Sequence, residues 1–158
     1  MAKAPSISPE RQLAAFIARY SPEIQTLFKK SRAVMRARLP GAIEFVYDNY
    51  NGLVIGYGPS DRPSEALFSI VARPSWVTLC FLWGAKLPDP TRRLNGGGNQ
   101  VRHMRLAGIK TFEERDVRAL MARALETAPE MLRKRKRQLQ IRAVSERRLP
   151  RRPGRNPD

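Results

Sequence analysis

IEFVYDNYNGLVIGY, residues 43–57, decides how the rest of the chain is read. Ile43 to Tyr50 and Leu53 to Tyr57 are rich in β-branched and aromatic types. Between them lies Asn51-Gly52, the pair that most favours a two-residue type I′ turn. An antiparallel hairpin is the expectation. Beyond it, GPSDRPSEA (Gly58 to Ala66) is loop-like, Leu67 to Ala72 reads as a third strand, and Pro74-Ser75 turns the chain into a fourth.

That fourth run, Trp76 to Trp83, is apolar except for Thr78, so it reads as the central strand of the sheet, buried on both faces. After Gly84 the chain turns at Pro88 and Pro90 and crosses Gly96, Gly97 and Gly98. It then re-enters an extended run at Val101 to Leu106, a fifth strand that carries the only histidine, His103. Short connections between consecutive strands describe a meander.

Upstream, the pattern has helical period. Ser8-Pro9-Glu10 and Ser21-Pro22-Glu23 are two start signals: a capping hydroxyl, a proline at the first helical position and an acid in the first turn. Leu13, Phe16, Ile17 and Tyr20 form the first apolar stripe, and Ile24, Leu27, Phe28, Ser31, Val34 and Met35 the second. Leu39-Pro40-Gly41 ends the second helix, proline by blocking it and glycine by permitting a left-handed exit. Met1 to Ser8 reads as a frayed end. Downstream, Asp116 is placed to cap a third helix over Val117, Leu120, Met121, Ala124 and Leu125, which Pro129 breaks. The expected fold is α+β: a four- to five-stranded antiparallel sheet with two N-terminal helices and one C-terminal helix on one face, over residues 9–129. Residues 130–158 are expected to be a basic, largely disordered tail, with a helical turn or two near Leu132 to Ile141.

The formal net charge of +16 is unevenly placed. Residues 1–130 carry 19 Lys+Arg against 12 Asp+Glu, a net +7; residues 131–158 carry 11 against 2, a net +9. The high isoelectric point therefore describes the last segment more than the domain. One cysteine excludes an internal disulfide, and charged residues interrupt every apolar run of signal-peptide or membrane-spanning length. A cytoplasmic protein without a membrane partner, monomeric or homodimeric, is the expectation.

Three separated stretches, YDNYNGLVIGYGPSDRPSEALFSI, PSWVTLCFLWGAKLPDP and GGGNQVRHMRL, resemble the YdhG-like domain family over roughly Phe16 to Leu125. The resemblance implies a compact α+β fold grouped with secretion-chaperone-like proteins, and a role in intracellular iron handling of the frataxin-like kind. Iron carriage of that kind uses clustered carboxylates, because a hard cation takes charged oxygen ligands. The twelve acidic residues of this domain are few and outnumbered by cations.

No catalytic constellation is legible. Cys80 and His103 are one soft ligand each, too few for a metal site, and Cys80 reads as core filling. Glu44 and Asp48 share a strand face about 13 Å apart by strand rise, too far for a carboxylate pair. Gly96 to Gly98 is not a phosphate loop, since Asn99 and Gln100 lead into a strand rather than a helix. What remains is a ligand recess for an unknown small molecule or protein. Gly97 and Gly98 allow close approach, Gln100, Arg102 and His103 supply donors, and Trp83 lies beside them. Tyr47, Asn49, Tyr50, Arg62 and Lys86 form the opposite wall. No cofactor is expected beyond the iron implied by resemblance. The run Arg133, Lys134, Arg135, Lys136 and Arg137 offers a second function, salt-sensitive attraction to DNA or RNA by counterion release.

Overall fold

A computed structural model describes residues 6–154. The reading of the first five residues as a frayed end lies outside that range, as does that of the last four as disordered. Residues 6–8 have no regular structure and lead into α1 (Pro9–Ile17), where Ser8 Oγ accepts the N–H of Arg11 at 3.3 Å. α2 (Pro22–Arg38) starts on its proline without a side-chain cap from Ser21. Five strands follow: β1 (Ile43–Asp48), β2 (Leu53–Gly58), β3 (Phe68–Ala72), β4 (Val77–Phe81) and β5 (Arg102–Arg105). The chain closes with α3 (Arg115–Leu125) and β6 (Leu139–Val144).

The sheet has six strands in the order β5-β4-β3-β2-β1-β6. β1 to β5 form the expected antiparallel meander, while β6 returns across the molecule and pairs in parallel with β1. The α+β class is as the sequence indicates; the sheet is mixed and one strand wider. β4 is next to the edge, and β2 and β3 hold the centre. Nor is β4 apolar on both sides. Val77, Leu79 and Phe81 point into the core, whereas Thr78 and the partly covered Cys80 point away from it.

One core holds the molecule together. Every buried apolar helix residue joins Val46, Leu53, Ile55, Tyr57, Phe68, Ile70, Ala72, Val77, Leu79, Phe81 and Met104, all on one side of the sheet. Phe68 and Phe81 meet edge-to-face with centroids 5.5 Å apart, a geometry worth about 1 kcal/mol beyond area burial. Met104 and Leu106 are the buried residues of the fifth extended run, which settles its inward side.

Four local expectations are corrected by the backbone. The β1–β2 connection is a four-residue loop closed by Asn49 N–H to Gly52 C=O at 2.9 Å, and neither Asn51 nor Gly52 has positive φ, so it is not type I′. Gly52 is there for space: a Cβ would stand 2.9 Å from the carbonyl oxygen of Ala72. Gly41 likewise takes no left-handed conformation, and a Cβ there would collide with the carbonyl oxygens of Glu130 and Arg133. Finally, Asp116 lies inside the first turn of α3, Glu114 holds the cap position, and the helix ends four residues before Pro129.

The largest correction concerns residues 130–154. The chain there is ordered as a short 3-10 turn at Pro129–Leu132, then an exposed basic run, then β6. Gly41 N–H donates to Met131 C=O and Glu44 N–H to Gln138 C=O, so backbone bonds anchor both ends of the run. Leu139 and Ile141 pack on the core. Two apolar residues at alternate positions suffice to place a strand when the partner edge of β1 is waiting for hydrogen bonds.

Candidate functional site

The recess residues named from sequence do not converge. Tyr47 is half-buried on β1, Asn49 and Tyr50 lie in the loop after it, and exposed Arg62 pairs with Glu65 at 3.9 Å in the β2–β3 loop. These four belong to the other half of the sheet from β4 and β5. His103 pairs with Cys80, on the face that points away from the helices, whereas Arg102 pairs with Phe81 on the helix side. Arg102 turns its guanidinium back onto the glycine loop, donating to Gly98 C=O at 2.6 Å and Val101 C=O at 2.9 Å. Gly97 and Gly98 are exposed with open space around them.

Three residues do come together: Trp83, Lys86 and Gln100. Trp83 is 45 % exposed, a high figure for an indole, and Lys86 stands beside it. On one side they line a groove of about 260 Å³ with Leu67, Phe81, Leu87, the α3 residues Arg123 and Ala124, and Thr127 just beyond the helix. On the other they line a polar recess of about 270 Å³ with Asn99 and Gln100. The wall between is held rigidly. Ala85 N–H donates to Gln100 C=O at 2.9 Å, and Gly84 packs so closely that a Cβ would lie 2.7 Å from Cβ of Arg102. Lys86 forms no ion pair among the described residues; Arg123 is 3.4 Å from Glu126, also on the groove wall. Neither tryptophan is core: Trp76 is half-buried, with the Arg105 guanidinium 4.0 Å from its ring centroid.

Sequence reasoning missed the two most heavily bonded polar groups. Glu44 and Asp48 both face the helix side, paired with Tyr57 and Leu53 of the core. Glu44 accepts from Arg32 Nε at 3.0 Å and Nη2 at 2.9 Å and from the Tyr57 hydroxyl at 2.9 Å, and Arg36 Nε lies 3.4 Å away. Burial, then the Glu44 carboxylate, pushes the Tyr57 phenol well above 10. Asp48 is held by Arg148 and, at 3.0 Å, by Arg151, itself only 6 % exposed, with Arg19 at 4.0 Å. Arg151 also donates to the carbonyls of Asn49 and Tyr50. The only sequence signal was two carboxylates on a strand face that also carries Val46; their partners lie up to 103 residues away.

These carboxylates do not suit iron. Each is already surrounded by guanidinium groups, and among the described residues no three His, Cys, Asp or Glu side chains gather to hold a metal ion. Burial also pushes the Cys80 thiol above its usual range.

Fold and grooves together define a two-layer α+β domain, one side of its sheet covered by helices. Compared with protein-family models, with curated proteins and with solved structures, the chain has no match.

Proposed function

We propose that this is a non-enzymatic binding module of YdhG-like type whose ligand is a small amphipathic anion held at Trp83. The family assignment rests on the three sequence motifs and the agreement in fold class. The observation that carries the ligand reading is Trp83 with Lys86 standing between an apolar groove and a polar recess. An apolar tail would lie against Trp83, Leu67 and Phe81 and an anionic head would meet Lys86 and the amide of Gln100. A groove of this size is just below that of sites enclosing drug-sized ligands, so the occupant is small. Iron carriage is not part of this reading, because Glu44 and Asp48 are committed to arginines and no three His, Cys, Asp or Glu side chains gather among the described residues.

In a Trp76→Phe protein, the emission comes from Trp83 alone and reports on the groove and the recess it separates. Medium-chain alkyl carboxylates should shift it saturably, the matching alcohols only weakly, and Lys86→Glu should weaken the carboxylate response about tenfold. An emission that ignores both series would refute the assignment.

The exposed run Arg133–Arg137 favours a second reading, attraction to polyanions without sequence preference. Because β6 follows the run directly, its test is replacement of the five cations by glutamine rather than deletion. Binding to DNA at low salt should fall, and unchanged binding would dismiss this reading.

A further inference from the structure

The face of the sheet that points away from the helices carries two rows set by the strand register. Tyr47, Val54, Val71, Thr78 and Arg105 cross five strands side by side, and Phe45, Gly56, Ser69, Cys80 and His103 form the next row. The core that contains every buried apolar helix residue takes nothing from either row. Phe45, Gly56, Ser69 and Thr78 are buried, whereas Tyr47, Val54, Val71 and Cys80 are partly exposed and His103 and Arg105 exposed. The two carboxylates found in the strands, Glu44 and Asp48, both lie on the opposite face. This face is therefore without a strand carboxylate and has cations at both margins.

At one margin Val71, Arg73, Trp76, Thr78, His103 and Arg105 line a recess of about 300 Å³. At the other, Arg142 of β6 lies over the ring of fully buried Phe45, 5.9 Å from its centroid. Exposed Arg135, in the run that leads into β6, donates to Pro59 C=O at 3.2 Å. From β5 to β6 is five strand spacings, about 24 Å.

We infer that the exposed part of this face binds single-stranded nucleic acid, with bases against Tyr47 and in the Trp76–Arg105 recess, and phosphates at Arg73, Arg105, His103 and Arg142. The inference rests on the polyanion reading for long-range attraction and adds a site that the basic run does not supply. Aromatic rings between cationic margins are what unpaired bases need, because stacking is open to any base and the backbone is read by charge. A duplex hides its base faces. An anionic membrane would call for protruding apolar side chains, and none of the exposed large apolar residues belongs to the two rows.

The test uses the full chain and fluorescence anisotropy of labelled oligo-dT of about a dozen nucleotides, beside a duplex of the same length, over about 50–200 mM salt. Oligo-dT should bind more tightly than the duplex. Trp76→Ala and Arg105→Glu, both at partly or fully exposed positions, should each reduce oligo-dT affinity at least about fivefold and remove the preference. Replacing Arg133–Arg137 by glutamine should weaken both nucleic acids alike and leave the preference in place, and Trp83→Ala should change neither. If the glutamine variant bound as the parent does while Trp76→Ala lost the preference, the basic-run reading would fall and the sheet-face site would stand. Equal affinity for duplex and oligo-dT, a preference untouched by Trp76→Ala and Arg105→Glu, or binding to phosphatidylserine vesicles but not to oligo-dT would overturn the proposal.

Discussion

Arg151 is the residue whose role is least visible in a sequence and most specific in the structure. It is an arginine in a Pro/Arg-rich terminal stretch, yet it is 6 % exposed, bonded to Asp48, and its guanidinium lies 5.8 Å from the Tyr20 ring centroid. Its Nε is buried with no partner among the described residues, so the ion pair with Asp48 carries the desolvation of that group. Removing one partner of a buried pair leaves the other charge uncompensated. Asp48→Ala should therefore lower unfolding free energy by about 3 kcal/mol in urea titration. A loss below about 1 kcal/mol would mean that Arg148 and Arg151 relax into water at little cost. Asp48 was legible as a strand residue and as a poor catalytic partner for Glu44. What it binds was not, because that depends on chain folding back over about a hundred residues and not on any local pattern.

Among the elements, the hairpin, the meander and both N-terminal helices follow from local rules: period, caps and prolines that act within a few residues. β6 did not, for a physical reason. A strand at a sheet edge needs backbone hydrogen bonds and one apolar side, and Leu139 and Ile141 supply that side within a stretch whose composition otherwise reads as solvated charge. Gly41 and Gly52 read locally as turn residues for the same want of tertiary information; both make room for a neighbouring backbone. The site was legible in part. Trp83, Lys86 and Gln100 gather because they flank one loop, whereas Tyr47 and His103, sharing a face, are four strands apart. Ending the chain after Gln138 should strip β1 of its parallel partner and Asp48 of two arginines. Thermal denaturation of that shortened protein should show a markedly lower midpoint and concentration-dependent association through the bared edge. Melting at the parent temperature as a monomer would contradict this.

For the molecule as a whole, charge is sorted by face. Carboxylates in the sheet turn inward to arginines from α2 and the C-terminal segment, and the outward face of the strands carries no carboxylate among the described residues. Stability should follow pH accordingly. The bond from Arg32 holds Glu10 below its usual 4.5, as Arg118 does for Glu113. A depressed carboxylate contributes stability that is present above 4.5 and lost as pH falls through the folded value. Burial raises the Tyr57 and Tyr20 phenols above 10 and the Cys80 thiol above 9. Those groups contribute fully below their usual values and lose that contribution as pH rises through the raised ones. Urea midpoints measured across pH should therefore be level between about 5 and 9 and fall on both sides. A midpoint still rising beyond pH 10 would reverse the sign argued for the tyrosines.

The six-stranded sheet, the charge sorting and the Arg142 margin of the outward face all require the C-terminal segment to be part of the domain. Amide hydrogen exchange on the full chain, resolved by peptide, reads this directly. Amides of 139–144 should be protected together with those of β1, and 151 and its neighbours more than the run 133–137. Exchange of 139–144 as fast as an unfolded peptide would mean a five-stranded domain with a loose basic tail, and would contradict the account.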